Sequence, residues 1–304
     1  MSLYIKYRPT TFEQVKGNTE VVKSLTSMLS NKETCPHTFL LYGATGCGKT
    51  TIARIIAKQL NCGDADYTEV DSADFRGIDT IREIRKNCQF MPSQGDCRVY
   101  VVDECHKITN EGQNAFLKIL EDTPPHVYFI LCTTEPQKLL ATIKGRCSQF
   151  QVNPLSYNDL YSLLRKISRS EGEMLDEDIY KQIIETSLGH PRNAIQILEQ
   201  VLSVPNEERL AIAKRNIDNQ TQIIDLCRAL MKRDSWSNIK SILKAIEDQD
   251  PEAIRRVVLG YCKNTLLGSE NDRAAFIMEQ FWETTYDMGF PYIVYACYCI
   301  TKSK

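Results

Sequence analysis

The sequence predicts an α/β fold, a parallel sheet with helices on both faces, followed by two purely helical regions. Three observations point there. Over residues 1–153 short strand-like runs alternate with helix-period segments, the pattern of parallel sheets built from right-handed crossovers. The runs are continuously apolar, β-branched or aromatic, which suits strands covered on both faces. Beyond "RCSQFQVNPLS" the strand signals stop and only amphipathic helical periods remain.

The elements follow in order. A helical pattern over 21–29 precedes the first strand, "HTFLLY", and another over 50–60 follows it. "YTEVD" is the next strand, then a helix over 80–88, where Thr80 and Glu83 have the spacing of a capping box. "CRVYVVD" and "VYFILCTT" are further strands, separated by a helix over 112–120. A small domain of three short helices spans 154–217. In "SYNDLYSLLRKISRSEG" Leu160, Leu163, Leu164 and Ile167 form one stripe between an N-cap at Ser156 and a stop at Gly172. "DEDIYKQIIETSLG" shows the same periodicity, and "PRNAIQILEQVL" opens on a proline, which a first helical turn tolerates. Residues 218–304 hold four more amphipathic patterns, from "QIIDLCRALMK" to "RAAFIMEQFWETTYDMG", and read as a third, all-helical domain.

Composition narrows the functional classes. With 42% hydrophobic and 25% charged residues the chain has the balance of a soluble globular protein. It shows no signal peptide and no run of about twenty uncharged apolar residues, so a cytoplasmic protein without membrane contact is expected. The 12 cysteines are scattered and form no CxxC pair, which fits reduced thiols and no zinc. At a net charge of −2, any contact with nucleic acid must come from a local patch.

One stretch carries chemistry outright. Gly43, Ala44, Thr45, Gly46, Cys47, Gly48, Lys49 and Thr50 match GxxxxGK[ST] in full, between a strand and a helix, with Thr51 next in the turn. The glycines let the backbone curl so that N–H groups point at phosphate oxygens. The helix start adds its positive dipole end. Lys49 supplies an ammonium to the terminal phosphates, and the Thr50 hydroxyl suits Mg²⁺. Downstream, "RVYVVDECH" delivers two acids at a strand's C-terminal end, where open parallel sheets keep their ligands. Asp103 would hold Mg²⁺ through water and Glu104 would polarise the attacking water. ATP and Mg²⁺ are the expected ligands.

"TFLLYGATGCGKTTIARIIAKQLNC", "VDECHKITNEGQNAFLKILEDTPPHVYFILCTTEPQKL" and "GRCSQF" together resemble the AAA+ clamp-loader ATPases, and among them the gamma/tau subunits of bacterial DNA polymerase III. The resemblance covers residues 4–200; beyond 218 it is limited to a helical region of the right length. It implies an AAA+ nucleotide-binding domain over 1–153, a three-helix lid over 154–217 and a collar for oligomerisation over 218–304. It also implies roles. Tyr7, Arg8, Pro9 and Val15 would line the adenine pocket. Thr134 matches the first sensor, which reads the γ-phosphate. Arg146 matches the arginine finger, which acts on a neighbouring subunit's nucleotide. Arg192 matches the second sensor, which brings the lid to the phosphates. Taken alone, these three have less favoured readings as a strand-end threonine, a surface loop arginine and a solvated first-turn arginine.

Two departures stand out. The family usually writes Ser-Arg-Cys where this chain has Gly145-Arg146-Cys147, so a looser finger loop is expected. The four-cysteine zinc module of the bacterial subunits is reduced to "LNCGDADYTEVD", with only Cys62. With no long C-terminal extension either, such a compact form is expected of a phage replication protein, working in the host cytoplasm.

The helix over 80–88 turns Arg82, Arg85 and Lys86 outward, with Arg76 just before it. In related loaders such helix starts follow duplex phosphates; the alternative is an ordinary solvated face. The resemblance implies a motor that opens a sliding clamp and loads it at primer–template DNA, in a ring or spiral of subunits serving a replicative polymerase. Other readings are a Holliday-junction branch migrator, whose winged-helix third domain the helical pattern here disfavours, and a scaffold subunit, which usually loses the lysine or acids kept here. "DECH" suggests a DExH helicase, but no second motor domain follows.

Overall fold

The computed structural model describes residues 1–302 apart from 32–33, 72–77 and 286–287. The chain divides into two compact units, Met1–Leu210 and Ala211–Lys304. The first unit runs α1 (Leu3–Lys6), α2 (Thr19–Ser30), β1 (Thr38–Tyr42), α3 (Lys49–Gln59), β2 (Cys62–Asp71), α4 (Ile78–Asn87), β3 (Cys97–Asp103), α5 (Asn110–Glu121), β4 (Val127–Thr133), α6 (Ala141–Gly145) and β5 (Ser148–Gln151). Three helices follow, α7 (Tyr157–Ser170), α8 (Glu177–Ser187) and α9 (Pro191–Leu202). Among the described residues the strands form one parallel sheet, in the order β2-β3-β4-β1-β5.

Alternate strand residues feed two cores, because successive side chains point to opposite faces. Phe39, Leu41, Val99, Val101, Ile130 and Cys132 pack with Leu25 of α2 and Ile52 and Ile56 of α3. Leu40, Tyr100, Val102, Phe129 and Leu131 pack on the other side with Ile81 and Ile84 of α4 and Phe116 and Ile119 of α5. Every residue of β4 is buried, as a central strand between two helical layers must be.

Several elements depart from the sequence reading. β5 has only Phe150 buried and pairs with β1 at the sheet edge, so it needs no apolar run. β2 starts at Cys62, well before "YTEVD", with a register irregularity between Cys62 and Tyr67. α4 starts at Ile78, which puts Thr80 inside the first turn instead of at the cap. At α7 the expectation holds: Ser156 Oγ accepts the Asp159 N–H at 3.2 Å, and Gly172 follows with φ +80°.

The sheet leaves a narrow exit for the chain after β1. Tyr42 lies opposite Thr133 on one side and Gln151 on the other. Gly43 N–H donates to Thr133 O at 3.2 Å, and Val152 N–H donates to Tyr42 O at 2.8 Å. A Cβ on Gly43, whose φ is +152°, would sit 2.1 Å from the Val152 carbonyl oxygen. Only glycine fits between these two strand ends.

The second unit is helical wherever it is described. α10 (Asn206–Met231) enters it and runs without a break past the expected domain border at 217–218; α11 (Trp236–Ala245), α12 (Pro251–Gly268), α13 (Asp272–Gln280) and α14 (Phe290–Lys302) complete it. Its core centres on Leu226, Leu230, Leu243, Ile254, Phe281 and Ile293. A buried polar knot braces it. Glu252 accepts Arg255 Nε and Nη2, both at 2.8 Å, and the Thr285 N–H and hydroxyl at 3.2 and 3.0 Å. Arg255 in turn donates to the carbonyls of Phe281 and Trp282 at 3.1 and 3.2 Å. The Arg255 bonds, with those from Thr285, outweigh the cost of burial and bring the Glu252 carboxyl down to about 2. No helix is long and apolar enough to cross a membrane among the described residues.

Two expectations follow from this packing. Gly43→Ala should lower the melting temperature of the chain by several degrees and weaken nucleotide binding, since the strand ends must part; an unchanged melt would contradict the slot. The Glu252 carboxyl is depressed on folding, so its contribution is present above its unfolded value near 4.5 and fades as the pH falls towards 2. Glu252→Gln should cost up to about 3 kcal/mol at pH 7 and much less at pH 2.5. Both tryptophans, Trp236 and Trp282, belong to this unit, so denaturant titration followed by their fluorescence measures it.

Candidate functional site

The phosphate-loop residues, Asp103, Glu104 and Thr134 come together at the C-terminal ends of β1, β3 and β4. The loop after β1 turns through Gly46 (φ +76°) and Gly48 (φ +102°) and enters α3 at Lys49. Lys49 is buried, and its ammonium donates to the carbonyls of Gly43 and Ala44, both at 3.0 Å. With those carbonyls occupied from one side, the loop keeps the curled form that presents N–H groups to an anion.

Thr50 Oγ1 donates to Asp103 Oδ2 at 2.8 Å, and the Glu104 N–H donates to Asp103 Oδ1 at 2.9 Å. A hydroxyl and a carboxylate in direct contact are hard oxygen donors of the kind a magnesium ion takes. Glu104 has left-handed backbone, φ +48° and ψ +39°, a conformation that a non-glycine residue adopts at some cost. Its carboxylate is held from outside its own strand: Thr134 Oγ1 donates to Oε2 at 3.2 Å, and His106 Nδ1 lies 3.4 Å from the same oxygen.

Two adjoining cavities meet at the loop. One, with about 770 Å³ of empty space including its open mouth, is lined by Tyr7, Arg8, Pro9, Val15, Gly46, Cys47, Gly48, Thr51, Leu155, Leu163 and Ile195, among others. Its lining is mainly apolar, as in sites that take small organic ligands. The other is polar: Thr45, Gly46, Lys49, Thr50, Asp103, Glu104 and Arg192 line it, together with Arg54 and Glu69. Arg8 and Arg192 border both. The α9 start reaches the loop through Arg192 N–H to Gly46 O at 3.5 Å and through His190 Nδ1, 3.4 Å from Cys47 Sγ. The N-terminal arm is tied across the far end by Tyr7, whose hydroxyl donates to Glu171.

Charge in the polar cavity favours an anion. The Arg8 guanidinium is held below its usual value by burial first and then by the charges of Arg54 and Arg192. Burial pushes the Glu69 carboxyl up, but hydrogen bonds from Arg54 and Tyr67 outweigh it and leave it below its ordinary range. Arg54 grips Glu69 with two bonds, at 2.9 and 3.0 Å.

Sequence reasoning missed Arg54, Glu69 and His106. Arg54 had a readable signal, since it stands one turn beyond Thr50 on the same helix. Glu69 is one acid among several on a polar strand, and His106 was noted only as part of "DECH". Arg146 is not brought to either cavity. It bonds Glu121 of α5 and donates to Thr142 O at 3.1 Å. Gly145 closes α6, and a Cβ there would meet nothing within 4 Å, so the residue before the arginine is helical. Arg82, Arg85 and Lys86 are exposed along α4; Arg76 lies outside the described residues.

Known proteins are similar to this chain in sequence or in fold. A family model described as DNA polymerase III, delta subunit, matches residues 65–156. The solved Holliday junction branch migration motor RuvB of Thermotoga maritima superposes with a TM-score of 0.58 at 19% identity, over 71% of this chain and 78% of that one; this is likeness of fold. The DNA polymerase III subunit gamma/tau of Mycobacterium tuberculosis is 36% identical over 226 residues, covering 67% of this chain but only 39% of its own length. The tau subunit of Bacillus subtilis is 30% identical over 293 residues, 88% of this chain and 52% of that protein. For the gamma subunit of Buchnera aphidicola subsp. Baizongia pistaciae, 30% identity extends over 80% of this chain and 72% of the relative. Identity sustained over nearly the whole chain and most of a complete subunit goes beyond a shared fold: the chain belongs to the gamma/tau family of AAA+ clamp-loader subunits of DNA polymerase III.

Proposed function

We propose that this chain is an ATP hydrolase that drives the opening of a sliding clamp and its loading at primer–template DNA. The observation that carries the reading is the joint placement of Lys49, Thr50, Asp103, Glu104 and Arg192 around one polar cavity beside an apolar one. The apolar cavity takes the adenine against Tyr7, Pro9 and Val15, with Arg8 at the border. The loop N–H groups and Lys49 take the phosphates. Thr50 and Asp103 would hold Mg²⁺, which when bound neutralises phosphate charge. Glu104 accepts a hydrogen bond from the attacking water and orients it, Thr134 holds Glu104, and Arg192 ties the start of α9 to the γ-phosphate end. Catalysis of this kind is positioning and charge neutralisation more than covalent work.

The wider setting is likewise proposed. Residues 1–153, 154–217 and 218–304 serve as nucleotide-binding domain, lid and collar. Several copies, completed by a partner subunit, form a ring or spiral around duplex DNA, with α4 turned to its phosphates and a replicative polymerase served indirectly. Arg146, directed away from its own site, completes the site of the next subunit. The likeness to a branch migration motor does not favour that reading, because it is one of fold and the unit after Leu210 is helical throughout its described length. A scaffold role is disfavoured by the intact set of Lys49, Asp103 and Glu104.

Lys49→Ala should abolish tight ATP binding while the chain still folds, whereas Glu104→Gln should bind ATP and hydrolyse it at least ~100-fold more slowly. Nucleotide titration and phosphate release check both, with and without clamp and primed DNA; normal turnover by Glu104→Gln would remove it as the water-orienting acid.

Arg146→Ala should bind ATP yet lose on the order of 10³-fold in assembled turnover. Mixing it with Lys49→Ala should recover part of the activity, since mixed interfaces pair an intact loop with an intact arginine. Full activity in dilute monomer, or no recovery on mixing, counts against a shared site.

A further inference from the structure

His106 has no task in hydrolysis so far, yet its ring is buried between two carboxylates. The side chain is 7% exposed, with Nδ1 3.4 Å from Glu104 Oε2 and Nε2 3.3 Å from Glu135 Oε1. Nδ1 also lies 3.0 Å from Thr133 Oγ1. Thr133 is fully buried, and its hydroxyl oxygen already accepts the Glu135 N–H at 3.0 Å. A hydroxyl that accepts there still has its proton to give, and His106 Nδ1 is in reach to take it. With Nδ1 accepting, the ring N–H is the one at Nε2, toward Glu135.

The next residue along β4 completes the set. Thr134 Oγ1 donates to Glu104 Oε2 at 3.2 Å. One face of the Glu104 carboxylate is therefore met by a wall made of the His106 ring and the Thr133–Thr134 strand end. The wall is itself cross-tied through Glu135, which Lys138 steadies at 3.0 Å. Glu104 needs such a wall. It stands just past the end of β3 in left-handed backbone, with φ +48°.

We propose that His106 is a positioning residue for hydrolysis: it locks Thr133, Thr134 and Glu135 into one hydrogen-bonded unit and so sets the orientation in which Glu104 meets the attacking water. The inference rests on the reading of Glu104 as the water-orienting acid. It predicts an effect on turnover and not on nucleotide affinity, because His106 borders neither cavity.

The test measures kcat and KM for ATP by phosphate release from the full chain, with clamp and primed DNA, at a protein concentration that supports wild-type turnover. His106→Ala should lower kcat about tenfold with KM within about twofold. His106→Gln, whose amide can still donate toward Glu135, should restore part of the loss. The decisive arm repeats His106→Ala in a Glu104→Gln background, where it should change nothing further, since both act through the same carboxylate. An equal loss in both backgrounds would mean that the ring only supports the fold, and it overturns the proposal. If the alanine variant does not fold, His106→Gln and His106→Asn carry the same comparison. Wild-type kcat in His106→Ala while Glu104→Gln is slow overturns this inference alone. Wild-type kcat in Glu104→Gln overturns it together with the assignment of Glu104.

Discussion

Everything at the site depends on one hydrogen bond made across a strand. Thr50 stands in the first turn of α3, just past the loop that leaves β1, and Asp103 ends β3, but β1 and β3 are not neighbours, since β4 lies between them. The 2.8 Å contact therefore requires three strands to end level. Their register supplies this, with Tyr42 opposite Thr133 and Val102 opposite Leu131. The register in turn is held by burial on both faces. A slip of one residue would exchange the two cores, sending Phe39 and Leu41 to the side where Leu40 now packs. Helices on both sides of the sheet thus do more than stabilise it; they fix where two oxygen donors meet.

The same strand ends explain how charges of both signs coexist in a small volume. Lys49 is spent partly on its own loop, and Arg54 is matched by Glu69. Arg8 and Arg192 border the cavity as well, and the guanidinium of Arg8 is held below its usual value by burial and then by its like-charged neighbours. The acids Asp103 and Glu104 sit on the opposite wall, at the end of β3. Such a partition suits a polyanion accompanied by a cation better than either alone.

Much of this was legible in the sequence because the decisive residues are contiguous. The phosphate loop is one eight-residue stretch, and the two acids close an unbroken apolar strand. β1, β3 and β4 announce themselves because a strand covered on both faces needs apolar side chains throughout. β5 does not, since an edge strand with one buried residue carries almost no pattern. β2 hides its first half in "CGDAD", where Asp66 is buried against Arg98 and the Gln94 N–H instead of apolar neighbours. Within the site, Glu69 and His106 gain their meaning from partners on other elements, Arg54 of α3 for one and the end of β4 for the other. No spacing rule along the chain connects them.

The clasp between Cys47 and His190 has a consequence for chemistry done from outside. The thiol sits in the middle of the phosphate loop, 4% exposed, beneath a ring that belongs to the start of α9. Burial raises its pKa above that of a free thiol, although Lys49 draws it partly back. It is thus shielded twice from an alkylating reagent, by access and by protonation, for as long as α9 rests on the loop. The rate at which Cys47 becomes labelled is then an intrinsic clock for how often that contact opens.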